Sequence, residues 1–132
     1  MSEGDLAGKR VLVIGGETTL GRAVLIGLAE AGADVGIASL TPDTKAEFAI
    51  NSALNELWAL GRKGVALSID ARDVEQVRGA IEQAERELGT IDLVVAAGDV
   101  ASEALDGRET IELTAAADPD EALANAVARL SG

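Results

Sequence analysis

The chain has 132 residues, a mass of 13.4 kDa and 48% hydrophobic residues, enough for one domain with a buried core and too little for two. It holds no Cys, no His and no Tyr, which excludes thiolate nucleophiles, Ser-His triads, zinc sites built on nitrogen and sulfur, and a phenolic acid or base. With 11 Lys and Arg against 23 Asp and Glu the net charge is -12, so nucleic acid and anionic membrane surfaces are unfavourable partners.

The opening residues, MSEGDLAGKR, lack the basic start and apolar run of a secretory leader. No apolar stretch approaches the ~20 residues that a membrane span needs, and a cytoplasmic chain is expected. From residue 9 to 98 a short apolar run followed by a stretch of helical period recurs, the pattern of a parallel sheet with covering helices. The first run is Arg10 to Ile14. After Gly15-Gly16 a helix follows with Leu20, Val24, Leu25 and Leu28 on one face, closed by Gly32. The second run, residues 34–39, is interrupted by Gly36. Thr41 reads as an N-cap with Pro42 at the first helical position and Asp43 in the first turn, and this helix reaches about Leu60 and stops at Gly61. The third run, residues 64–69, ends at Asp70. Val74, Val77, Ile81, Ala84 and Leu88 then mark an amphipathic helix stopped by Gly89. The fourth run, residues 91–97, is apolar on both faces after Asp92 and ends at Gly98.

The tail from Asp99 holds eight acidic and two basic residues, half of the net charge. Residues 110–114 alternate as an edge strand does, and Asp118-Pro119-Asp120-Glu121 is a strong helix start before an Ala-rich stretch to Leu130. The expected fold is α/β: a three-layer, Rossmann-like, doubly wound parallel sheet of order 3-2-1-4 with a fifth strand at its edge. All of residues 1–132 form one domain in this reading, with 9–98 as the repeats and 99–132 as a divergent acidic tail. A fourth strand apolar on both faces cannot stay an open edge. Either residues 110–114 pair beside it with the last helix across one face, or another subunit covers it.

Gly15-Gly-Glu-Thr-Thr-Leu-Gly21 lies between the first strand and first helix, where a glycine turn presents N–H groups and a helix N-terminus to a pyrophosphate. The plainer reading is that Gly15 and Gly21 only allow a tight turn and close helix–strand packing. This stretch resembles the opening of the short-chain dehydrogenase/reductase family, a strand, Thr-Gly-x-x-x-Gly-x-Gly and a helix. Asp70 matches the family's aspartate near the adenine, and Ala96-Ala97-Gly98 is similar to its Asn-Asn-Ala-Gly. The resemblance implies NAD or NADP as cofactor. It implies a cofactor set of Gly15, Thr18, Thr19, Leu20 and Gly21 from the loop, Ser39 after the second strand, Asp70 after the third, and Ala97 and Gly98 after the fourth.

The chain departs from the family in several places. Thr19 stands at the middle glycine, Glu17 where a phosphate-contacting Ser is frequent, and the second strand ends Ala38-Ser39-Leu40-Thr41 without the acid of NAD enzymes or the Arg of NADP enzymes. The family's Ser and Tyr-x-x-x-Lys have no counterpart, because the sequence stops before the strand and helix that carry them. No catalytic or metal-binding residue is assigned. Asn125 reads as a polar helix position or as the family's catalytic Asn, and Asp70 equally as a cap for a helix starting near Arg72. Phe48 and Trp58 are expected in core or subunit packing.

Three functions stay open: a truncated NAD(P)-binding domain not catalytically competent alone; a noncatalytic interaction protein or pseudo-subunit that partners a complete dehydrogenase; and an oxidoreductase whose Ser, Tyr and Lys come from a partner, with a homo-oligomer or a dehydrogenase partner expected.

Overall fold

The computed structural model describes residues 6–114 and 116–131; residues 1–5, part of the stretch inspected for a leader, lie outside them. Its elements are β1 (Arg10–Ile14), α1 (Thr19–Glu30), β2 (Asp34–Ala38), α2 (Thr44–Ala59), β3 (Gly64–Leu67), α3 (Val74–Leu88), β4 (Leu93–Ala96), a 3₁₀ turn (Ser102–Leu105), β5 (Thr110–Glu112) and α4 (Pro119–Ser131). The five strands form one sheet in the order β3-β2-β1-β4-β5, and every neighbouring pair is parallel.

The layers follow from the period of two along each strand. Val11 and Val13 of β1, Val35 and Ile37 of β2, and Leu93 and Val95 of β4 face one side, under α1, α2 and α4. Leu12, Ile14 and Val94 face the other, under α3 and the 3₁₀ turn. Val95 and Val94 are each 1% exposed, which explains why the fourth apolar run has no polar face. Each such side chain contributes roughly 1.5–3 kcal/mol on burial.

Gly36 does not weaken β2 by accident. A Cβ there would stand 3.1 Å from Leu12 Cδ1 and 3.4 Å from Ala84 Cβ, so the glycine lets α3 approach the sheet closely. On the opposite face α4 lies against α1, and a Cβ on Gly27 would meet Leu123 Cδ2 at 2.4 Å. β5 pairs with β4 in the register Val95 to Ile111, and Ala122, Ala126 and Leu130 of α4 join the core on the α1 side. The apolar edge of β4 is thus covered from within the chain.

Three local expectations are corrected. Asp43, not Thr41, caps α2: its Oδ1 accepts from Ala46 N at 2.8 Å, and the Thr41 hydroxyl donates to its Oδ2 at 2.6 Å. Asp73, not Asp70, caps α3, accepting from Glu75 N and Gln76 N. Of the two expectations for Phe48 and Trp58, core packing is overturned: they are 77% and 57% exposed, because the buried stripe of α2 runs through Ala46, Ile50, Ala53, Leu54 and Leu57 and both aromatics lie off it. The start of α4 is as expected, with Glu121 N donating to Asp118 Oδ2. No helix among the described residues is long and apolar enough to cross a membrane.

Candidate functional site

The junction of β1 and α1 is a closed turn. Gly15 has φ +99, a conformation that favours glycine, and its carbonyl accepts from both Thr18 N at 3.0 Å and the Thr18 hydroxyl at 2.8 Å. The same hydroxyl oxygen accepts from Gly21 N at 2.9 Å and so caps α1. A Cβ on Gly21 would lie 2.2 Å from Gly15 O, and one on Gly15 would lie 2.6 Å from Ala97 O. Both glycines are therefore demanded by the packing of strand, turn and helix, whatever else the loop does. Thr18 takes the N–H of Gly21 and leaves those of Thr19 and Leu20 at the start of α1, where no intrahelical acceptor exists. The first turn of α1 carries no acidic residue.

A cavity of about 390 Å³ opens at this helix start. Thr18, Thr19 and Leu20 form one side, Ala97 and Gly98 lie at the end of β4, and Leu40, Leu113 and Thr114 complete the lining. Leu113 and Thr114 were not foreseen as part of a site. They arrive there because β5 pairs with β4, which local pattern alone does not specify. Leu40 follows β2 and reaches across the end of β1 to β4, where a Cβ on Gly98 would stand 2.6 Å from Leu40 Cδ1.

Two expected cofactor residues are engaged elsewhere. Ser39 is fully buried, and its hydroxyl donates to Ile69 O at 3.1 Å and accepts from Ile69 N at 2.9 Å, tying the ends of β2 and β3. Both directions of the Ser39 hydroxyl are thus used within the fold, and its side chain has no exposed surface. Asp70 accepts from Arg72 N at 3.0 Å while its own N–H donates to Gln76 Oε1 at 2.8 Å, so it organises the turn before α3. The structure thus brings Gly15, Thr18, Thr19, Leu20, Gly21, Ala97 and Gly98 together, with Ser39 and Asp70 outside the lining of this cavity.

Glu17 was read only as a charge opposed to phosphate. Its Oε2 accepts from Leu40 N at 2.8 Å, which joins the glycine loop to the end of β2 across 23 residues of sequence. Its Oε1 is buried without a hydrogen-bond partner among the described residues. Glu17 also lines a smaller cleft of about 180 Å³ with Thr41, Asp43 and Lys45. There the Thr41 hydroxyl and then the Ala46 N–H hold the Asp43 carboxyl below its usual value. Asn125 is exposed on α4, away from the side that packs on the core. Among the described residues no group of three acidic residues could hold a metal ion.

A family model for short chain dehydrogenase matches residues 9–121, through all five strands and into α4. The chain belongs to the short-chain dehydrogenase family. Hydroxysteroid dehydrogenase-like protein 2 of Danio rerio is 36% identical over 94 residues, 70% of this chain and 23% of that protein. L-rhamnose 1-dehydrogenase (NAD(P)(+)) of Sphingomonas sp. (strain SKA58) is 37% identical over 90 residues, 68% of this chain and 34% of that protein. A blue fluorescent protein from a metagenomic library, solved in complex with NADPH, superposes with a TM-score of 0.65 at 35% identity, covering 69% of this chain and 36% of that one. Carveol dehydrogenase from Mycobacterium avium, solved with NAD, gives 0.65 at 25% identity over 71% of this chain and 36% of that one. The matched stretch of this short-chain dehydrogenase chain therefore spans 23% to 36% of the length of these relatives.

Proposed function

We propose that this short-chain dehydrogenase chain is one domain that binds a nicotinamide dinucleotide along the carboxyl edge of its sheet, with the pyrophosphate at the start of α1. The observation that carries the reading is the cavity at that helix start, which has two N–H groups without intrahelical acceptors and no carboxylate in its lining. That two related structures hold NADPH and NAD supports it. The N–H groups of Thr19 and Leu20 hold the pyrophosphate, Thr18 with Gly15 and Gly21 fixes the turn, and Ala97 and Gly98 underlie the ligand. Leu113 and Thr114 wall the nicotinamide side.

A bound nicotinamide coenzyme supplies a hydride donor or acceptor. The residues of this chain bind and orient it, and with no Tyr in the sequence the family's phenolic proton donor is missing. In this reading the chain alone binds coenzyme without turning over a second substrate. Titration of the intact chain with NADH and NADPH, followed by coenzyme fluorescence and thermal denaturation, should give a saturable complex and a raised Tm. No change with either coenzyme at millimolar concentration would overturn the reading. The second reading, a noncatalytic interaction protein, is favoured by the exposed Phe48 and Trp58 on α2. Light scattering separates the two, because coenzyme binding at this cavity does not require assembly.

A further inference from the structure

We propose that the outward face of α2 pairs with the same face of a second copy of this chain, the two helices antiparallel across a two-fold axis level with residue 53. This extends the second reading above by naming the surface and its occupant, and it does not depend on coenzyme. The sequence holds one Phe, one Trp and no Tyr, and both rings stand exposed on α2, so no aromatic side chain contributes to the core. At 3.6 residues per turn Phe48, Asn51, Asn55 and Trp58 fall within about 80° of arc. With Ser52 and Ala59 they belong to about a third of the helix circumference that carries no charge from Thr44 to Ala59. α3, by contrast, exposes Glu75, Arg78, Glu82, Arg86 and Glu87.

Charge complementarity makes the occupant a second copy. Two chains of net charge -12 repel each other and come together only where charge is absent or opposed in sign. α2 offers both. Asp43 and Glu47 stand at its start and Arg62 and Lys63 follow its end, so an antiparallel copy sets acid against base at both ends, whereas a parallel one sets like against like. Of the remaining charges on α2, Lys45 lines the cleft with Glu17, and Glu56 pairs with Arg22 of α1. Pairing level with residue 53 puts Phe48 opposite the partner's Trp58 and Asn51 opposite the partner's Asn55, each twice by symmetry. The rings stand about 15 Å apart along each helix, so the aromatic contacts flank the amides. Asn51 Nδ2 already donates to Glu47 O at 2.9 Å, which leaves its Oδ1 to accept from the partner's Asn55. A groove of about 290 Å³ beside Phe48, lined also by Glu47, Asn51 and Asn55, seats the partner's Trp58, with the Glu47 carboxylate as acceptor for the indole N–H.

Light scattering and sedimentation of the whole chain over a concentration series test the pairing. The mass should rise from 13.4 kDa toward twice that value through the micromolar range, an affinity that suits a single helix pair. Trp58, the one Trp of the sequence, reports on the face itself: its emission should move to the blue and its quenching by acrylamide should fall in step with the mass. Phe48→Ala should weaken association at least about tenfold, and Asn55→Glu, which sets a carboxylate in the uncharged stripe, should weaken it further. Both positions are exposed, so the melting curve of the dilute chain should not change. A strict monomer at about 500 μM overturns the proposal. Association that leaves Trp58 emission unchanged, or that survives both substitutions, also overturns it, by moving the contact to another face while the interaction reading stands.

Discussion

From β1 to β3 each strand is followed by a helix of 12 to 16 residues that lays an apolar stripe on the sheet. Between β4 and β5 the crossover carries only the four-residue 3₁₀ turn, and the helix, α4, comes after the strand instead of before it. The first region is held by packing so close that glycines are required at Gly15 and Gly21 and contact is tight at Gly36. The second buries Ile111 alone from β5, packs α4 on the core through Ala122, Ala126 and Leu130, and adds polar ties: Arg108 to Glu85 of α3, and, within the tail, Arg129 of α4 to Glu109. Elements with few buried apolar contacts open at lower free energy. The tail is therefore the part of the sheet expected to loosen first, and it supplies one wall of the candidate coenzyme cavity.

The largest expected effect lies in the first region. Gly21→Ala would push a Cβ into Gly15 O, a backbone atom that cannot swing aside, and should cost about 3 kcal/mol or more in urea unfolding. A loss below about 1 kcal/mol would mean that the loop relaxes and that the two regions differ less than their packing suggests. Next comes Leu130→Ala, which removes a buried anchor of α4 and should cost roughly 2–4 kcal/mol. Hydrogen exchange sharpens the contrast here: amides of β5 and α4 should lose protection well before those of β1 and β2. Uniform loss across the sheet would show one cooperative unit.

The smallest effect is electrostatic. The Arg108 guanidinium, and then the Ile91 N–H, hold the Glu85 carboxyl below its ordinary value of 4.5. A carboxyl lowered on folding contributes stability above its unfolded value and loses it as the pH falls through the folded one. The tail should thus loosen in acid, below about pH 4.5, with little change toward neutrality. Glu85→Gln should weaken the tail by about 1 kcal/mol at pH 7 and flatten this pH dependence. An unchanged acid profile in Glu85→Gln would show that other carboxyls carry it.

The parallel alternation, the four main helices and the α4 start were legible because each is a local signal. Asp118-Pro119 announces a helix within four residues, and the runs from Arg10 and Ile91 announce strands by their composition. Capping was less legible where two candidates stood close together. Thr41 and Asp43 can both cap, and the turn leaving β2 sets Asp43 to accept from Ala46 N while Thr41 donates to it. The same holds for Asp70 and Asp73 before α3. For Phe48 and Trp58 the choice between core and subunit packing was not legible, because it depends on their angle around α2, which sets both outside the buried stripe.

At the site, Gly15, Thr18 and Gly21 were legible as a turn, since strand, glycine loop and helix are contiguous. The role of Ser39 was not, because its partner Ile69 sits 30 residues away on the neighbouring strand. Glu17 shows the same limit in sharper form. Its charge could be read from the sequence, but its hydrogen bond to Leu40 N exists only because β2 lies beside β1.

By itself the sequence determined the period of each element, the two apolar faces of β4 and the need to cover them, since these depend on residues within a turn or two of each other. Only the tertiary structure decided that β5 and α4 provide the cover, that Leu113 and Thr114 face the start of α1, and that Glu17 ends at β2 with one oxygen unsatisfied. Those outcomes follow from strand order and register, which bring distant residues within hydrogen-bonding reach and leave no mark in local composition.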